Sequence, residues 1–140
     1  MTGKPIRASL IMDHPAQQFT RGLQLLSTEP AIQLQVYYWS VAKSLDDPGF
    51  GRTVTWDVDL LDGYEWLAPA PSSSAIGRLR WLVRQLWAAQ PDVVVCYGWG
   101  SQIARASIVF CLLTRMRLLL YGDSTWQHSS RAQHKVARRY

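Results

Sequence analysis

The sequence predicts a three-layer α/β domain built on a mostly parallel, doubly wound sheet with helices on both faces. Three observations carry that reading. Apolar β-type runs alternate with helical patterns along the whole chain, the first connection is long enough for a parallel crossover, and 140 residues suit one core rather than two. A hydrophobic content of 48% with 18% charged residues is that of a globular chain and excludes a disordered charged tail.

Ile6–Met12 is a short apolar run that ends at Asp13-His14-Pro15, as a buried strand does on entering a loop. Phe19, Leu23 and Leu26 then recur at helical spacing over Gln17–Ser27, which Thr28-Glu29-Pro30 stops. Ile32, Leu34 and Val36 alternate with Gln33 and Gln35, so Ile32–Trp39 is a strand with one wetter face. Lys43–Arg52 reads as a loop around the turn signal Asp46-Asp47-Pro48-Gly49. Thr53–Leu60 alternates again as a strand, and Asp62-Gly63 turns the chain into a short strand within Tyr64–Ala68.

Pro69–Ser74 is a connector inside the domain. Ser74 can cap a helix that runs to about Ala89 and ends at Pro91. Asp92–Tyr97 is rich in valine, as is a strand covered on both faces. Gly98-Trp99-Gly100-Ser101 leads into a nearly all-apolar helix over 102–115, and Arg117–Tyr121 forms the next strand, closing at Gly122-Asp123-Ser124. A last basic helix can begin at Ser129.

Charge is unevenly spread. Residues 1–75 hold five Lys or Arg against eight acids, a net −3, whereas residues 76–140 hold ten against two, a net +8. A basic half attracts phosphate-rich partners such as anionic lipid, nucleic acid or nucleotide ligands. Seven tryptophans favour sugar, lipid-interface or base-stacking surfaces. The longest nearly apolar stretch, Ile103–Leu113, is too short to span a bilayer and contains Arg105, and the N-terminus shows no signal-peptide cleavage pattern. Cys96 and Cys111 form neither a disulfide framework nor, with His128 and His134, a zinc pattern, so the expectation is a cytoplasmic protein without a metal.

In a doubly wound sheet, ligands sit beyond the carboxyl ends of the strands, which here means the loops 13–17, 98–101 and 122–125. Gly98-Trp99-Gly100 resembles the front of a phosphate-cradling loop, or serves simply as a tight strand-to-helix turn; a third glycine is lacking, since Ile occupies 103, and no Walker pattern occurs. His14 can exchange protons or donate to a sugar hydroxyl, or it bonds the loop backbone. Asp123 can accept a proton from an incoming hydroxyl, or it caps the turn that follows. On the helix at 76–89, Ile76, Leu79, Leu82, Val83, Leu86 and Trp87 fall in one arc, with Arg78, Arg80, Arg84 and Gln85 opposite and Trp81 among them. That outward face suits peripheral contact with the anionic inner surface of the cell membrane, or else Trp81 stacks on an arginine stem.

The order of these pieces resembles the N-terminal half of a family-4 glycosyltransferase, of the glycosyltransferase-B fold. The likeness is carried by His14-Pro15-Ala16-Gln17-Gln18-Phe19, by Phe50-Gly51-Arg52 with Trp56-Asp57 and Leu60-Leu61-Asp62-Gly63-Tyr64, by Gln90-Pro91-Asp92-Val93-Val94-Val95 running into Gly98, and by Leu119-Leu120-Tyr121-Gly122-Asp123-Ser124 followed by Arg131 and Lys135. The resemblance implies a Rossmann-like, acceptor-side domain. Its complete enzyme moves a sugar from a nucleotide-sugar co-substrate to an acceptor hydroxyl, without a bound metal, in cell-surface polysaccharide or glycolipid assembly.

By that analogy His14 and Asp123 sit near the reacting centre. Pro15, Ala16, Gln17, Gly98, Trp99, Ser101, Ser124 and Arg131 line the substrate site, and the partner is a sugar or lipid-linked acceptor. The first loop lacks the glycine pair many relatives carry, and the donor-binding motif of a C-terminal domain has no counterpart before Tyr140. The expectation is therefore a chain inactive alone. The alternative is a non-enzymatic α/β module that uses its basic half on anionic lipid or nucleic acid; against nucleic acid, the basic residues are scattered and no recognition motif appears.

Overall fold

The computed structural model describes residues 3–41, 44–47, 52–55 and 59–122. Strand β1 (Ile6–Met12), helix α1 (Gln17–Thr28) and strand β2 (Ile32–Tyr38) follow the predicted periodicities closely. Next come β3 (Ser44–Asp47), β4 (Arg52–Thr55) and β5 (Trp66–Leu67), then α2 (Ala75–Ala89), β6 (Val93–Tyr97), α3 (Gln102–Thr114) and β7 (Leu118–Tyr121).

Five strands form one sheet in the order β5-β2-β1-β6-β7, and every neighbouring pair is parallel. The chain therefore grows outward from β1 through β2 to β5, returns to the other side of β1, and grows outward again through β6 and β7. That reversal places a topological switch point between β1 and β6, where the adjacent crossovers leave on opposite faces.

The two faces carry separate cores. Ile11, Tyr37, Val94 and Cys96 point to one side and are packed by Leu82 and Leu86 of α2 and by Ile103, Phe110 and Cys111 of α3. Met12, Val36 and Tyr38 point to the other, against Leu23 of α1, with Phe19, Leu61, Tyr64 and Tyr97 packed around them. This alternation along each strand is the period-2 geometry of a sheet covered on both sides. The resulting architecture is a Rossmann-like α/β fold.

Two boundaries and one burial pattern differ from the sequence reading. Lys43–Arg52, expected as a loop, contains β3 and opens β4, which pair antiparallel with Ser44 opposite Thr55 and Asp47 opposite Arg52. Of the strand expected over Thr53–Leu60, Thr53–Thr55 belongs to β4 and 56–58 lie outside the described residues, whereas Leu60 begins a turn through Gly63. Asp59 starts that turn by accepting the Leu61 N–H on its Oδ1 at 3.1 Å, a local bond that competes with extended backbone. In β6, Val94 and Cys96 are fully buried while Val93, Val95 and Tyr97 are half-buried, so its two faces are covered unequally.

The 60–64 turn is fastened to α1 and β2. Gln24 Nε2 donates to the Asp62 carbonyl at 3.1 Å, Ser27 Oγ to the Gly63 carbonyl at 2.7 Å, and Tyr64 Oη to the Leu60 carbonyl. The Tyr38 and Tyr64 hydroxyls lie 2.8 Å apart, and burial, then their mutual hydrogen bond, pushes the Tyr38 phenol far above its ordinary range. The Leu-Leu-Asp-Gly-Tyr motif therefore has a structural task. It covers the α1 face of the sheet, where Leu61 and Tyr64 pack around Met12, Val36 and Tyr38.

Candidate functional site

The site is built by two loops that leave adjacent parallel strands on the same edge. The loop after β1 carries His14, Pro15 and Ala16; the loop after β6 carries Gly98, Trp99, Gly100 and Ser101. The first is pinned through backbone bonds, since Trp39 N–H donates to the Met12 carbonyl and Ser40 N–H to the Asp13 carbonyl, each at 3.0 Å. Pro15 is buried, whereas His14 and Gln17 are exposed at the opening of α1. Ala16 is the N-cap of α1, and no side chain caps that terminus. Its first-turn N–H groups face the edge where the site lies, and a helix N-terminus favours negative charge.

The second loop is shaped by glycine. Gly98 adopts φ +73°, a left-handed conformation, and donates its N–H to the Tyr121 carbonyl at 2.6 Å, joining the ends of β6 and β7. The space above Gly98 and Gly100 is open. Trp99 is 64% exposed and so presents an apolar ring to solvent just after β6. Ser101 is occupied as the N-cap of α3, its Oγ accepting the Ala104 N–H at 3.2 Å.

The structure thus brings His14, Pro15, Ala16, Gln17, Gly98, Trp99 and Ser101 to one edge of the sheet. Asp123, Ser124 and Arg131 lie outside the described residues, as does the basic helix expected from Ser129. Among the described residues no three His, Cys, Asp or Glu side chains gather as metal ligands do. A cavity of about 490 Å³ opens at the other end of the sheet, around Pro5, Arg7, Ser9, Pro30 and Gln33. It borders the amino ends of β1 and β2, opposite the edge where this architecture places ligands.

The sequence reading missed an aromatic group at the same edge. Tyr97 and Tyr121 are in register at the ends of β6 and β7, with ring centroids 5.7 Å apart, and Phe19 of α1 stands edge-on to them at 4.7 and 6.4 Å. Tyr121 is 60% exposed. The available signal was the Tyr-Gly pair that ends both strands, Tyr97-Gly98 and Tyr121-Gly122.

The outward face expected on α2 is corrected at two positions. Arg78 is turned toward the sheet edge, where Nη1 donates to the Trp39 carbonyl at 2.8 Å, Nη2 to Pro71 at 3.0 Å and Nε to Ser73 at 3.1 Å, with the guanidinium over the Trp39 ring. Trp81 packs edge-on against Tyr37, 6.1 Å between centroids, and joins the core beneath α2. Arg80 and Arg84 do face outward. The physical reason is a rotation of the helix. Arg78 reaches polar carbonyls by lying along the buried side, and this turns Ile76, Val83 and Trp87 of the supposed buried arc to the surface.

No protein-family model matches the chain, and no curated protein matches it by sequence. Fourteen chains of solved structure match its fold. One is a Listeria monocytogenes protein provisionally described as a UDP-N-acetylglucosamine 2-epimerase, similar over 84% of this chain with a TM-score of 0.55 and 12% identity. This chain spans 31% of the length of that one. At such identity the likeness shows the fold, in agreement with the strand order: a parallel, Rossmann-like α/β domain.

Proposed function

We propose that this chain is the acceptor-side domain of a glycosyltransferase that uses a nucleotide-sugar donor. The observation that carries the proposal is the switch point itself. The His14 loop and the Trp99 loop follow the carboxyl ends of neighbouring parallel strands, so an exposed imidazole and an exposed indole ring stand at one end of the sheet. Support also comes from the order of motifs quoted above and from the fold neighbour, whose description names a nucleotide sugar.

In this reading Trp99 offers an apolar face to an acceptor sugar ring, and His14 reaches the acceptor hydroxyl or the donor diphosphate. Asp123, directly after the strand end at Tyr121-Gly122, is proposed as the base that takes the proton of the attacking hydroxyl. Pro15, Ala16, Gln17, Gly98, Ser101, Ser124 and Arg131 are proposed to shape the pocket. A second domain is proposed to supply the donor site, with no metal or other cofactor bound to this one.

Amide-resolved NMR titration of residues 1–140 tests this. Alkyl glycosides, as mimics of a lipid-linked acceptor, are expected to shift resonances of residues 13–17 and 98–101, and a Trp99→Ala variant is expected to lose that response. Nucleotide sugars are expected to bind weakly or not at all. Tight saturable nucleotide-sugar binding, or glycoside shifts confined to the cavity at Arg7 and Gln33, would overturn the assignment.

A further inference from the structure

The rotation of α2 exposes a surface that the sugar chemistry does not use. Ile76, Val83 and Trp87 form a stripe on α2 that is 71%, 39% and 61% exposed. Trp87 touches Phe110 of α3 edge-on, centroids 6.4 Å apart, so the stripe lies on the side of α2 that borders α3. The solvent side of α3 is also apolar, with Val109, Leu112 and Leu113 exposed by 55%, 71% and 81%. Single exposed apolar residues are ordinary, but six large ones on the solvent sides of two touching helices are a concentration of the kind that marks an interaction site.

Charge says what covers it. Arg80 and Arg84 stand one turn apart on α2 beside the stripe, and Arg105 is exposed on α3. Neither helix contains an acid. Between Glu65 and Asp123 the single acidic residue is Asp92, which is engaged with Arg7. A twofold contact with a second copy would set this arginine group against itself, which opposes that occupant. Nucleic acid would use the arginines and leave six apolar side chains in water. An anionic bilayer surface uses both, because headgroups take the cations and the acyl boundary takes the apolar stripe.

We propose that the α2–α3 face docks this domain on an anionic membrane, with Arg80, Arg84 and Arg105 meeting headgroups and Trp87, Leu112 and Leu113 entering the interface. The docking face differs from the one drawn from the sequence alone, since Arg78 and Trp81 take no part. It also stands independently of the glycosyltransferase reading, which a failure to bind vesicles would leave intact.

Co-sedimentation of the full chain with phosphatidylcholine vesicles, with and without phosphatidylglycerol, tests it. Binding is expected to require phosphatidylglycerol and to weaken with salt. Arg80→Glu with Arg84→Glu is expected to lower partitioning at least about thirtyfold, from roughly 1 kcal/mol per basic residue. Leu112→Ser with Leu113→Ser, both at exposed positions, is expected to remove the salt-resistant fraction while the far-ultraviolet circular dichroism stays that of wild type. Equal binding by the arginine variant, equal binding to neutral vesicles, or no binding at all would overturn the proposal. So would a dimer that the leucine variant abolishes, or an oligonucleotide that the wild type and the leucine variant bind equally.

Discussion

Asp92 holds Arg7 at three points: Oδ1 accepts from Nη2 at 3.1 Å, and Oδ2 accepts from Nε at 3.3 Å and from the backbone N–H of the same arginine at 2.9 Å. The Asp92 N–H returns a bond to the Arg7 carbonyl at 2.8 Å. Together they stitch the start of β6 to β1 and so fix the two strands whose far ends carry the site loops. The hydrogen bonds from the Arg7 side chain and backbone hold the Asp92 carboxyl near 2, below its ordinary 3.8. A carboxyl lowered by folding contributes stability that is present above about pH 4 and is lost as the pH falls toward 2. Thermal melts should therefore show Asp92→Asn less stable than wild type at pH 6, with the gap closing between pH 4 and 2. A gap that stays constant with pH would contradict the assignment.

Arg78 binds three carbonyls from two segments, Trp39 after β2 and the Pro71–Ser73 turn before α2. Arg78→Ala should cost about 2 kcal/mol in urea unfolding, because carbonyls that had charged donors lose them. Arg78→Lys should recover only part of this, since a single ammonium cannot reproduce the planar fork.

Gly98 and Gly100 make a controlled pair. A Cβ at either meets nothing within 4 Å, but only Gly98 has a positive φ. Gly98→Ala should lower stability by about 1–2 kcal/mol through backbone strain alone. Gly100→Ala should stay within about 0.5 kcal/mol of wild type. Chemical denaturation of both variants decides it, and equal losses would refute the conformational reading of the loop.

Cys96 and Cys111 are buried on the α2–α3 side of the sheet, and burial pushes the Cys96 thiol up to about 12 and raises that of Cys111. Both should resist a colourimetric thiol reagent in the native state at pH 8 and react together once urea unfolds the chain. Fast labelling of either thiol in native protein would place it at the surface.

Strands and helices of the main sheet were legible because their apolar periods were long and clean: Ile6–Met12, Ile32–Tyr38 and the valine run of β6 each announce themselves. The β3–β4 pair was not, because Ser44–Asp47 carries two aspartates and no apolar alternation, and pairing rather than propensity makes it a strand. The buried face of α2 was misread by one helical step for a related reason. A hydrophobic arc counts Arg78 as polar, whereas its long stem and three carbonyl partners make the buried side its better place. At the site, the loops could be read because strand ends and glycines mark them. The Phe19, Tyr97 and Tyr121 group could not, because it depends on the register of β6 with β7 and on where α1 crosses them.

Helices α2 and α3 each end on a residue other than glycine in the left-handed region, Gln90 at φ 44° and Arg115 at φ 56°. A β-carbon in that conformation is a standing steric cost, and glycine is the residue that usually relieves it. Gln90 offsets part of the cost through its side-chain bond to the Trp87 carbonyl at 2.7 Å, but no comparable bond is seen for Arg115 among the described residues. The fold therefore keeps a thermal reserve it does not use. Arg115→Gly should add about 1 kcal/mol and raise the melting temperature, leaving the loops at the strand ends untouched. For anyone wishing to evolve a new specificity onto those loops, that position is where the tolerance for damaging substitutions can be gained first.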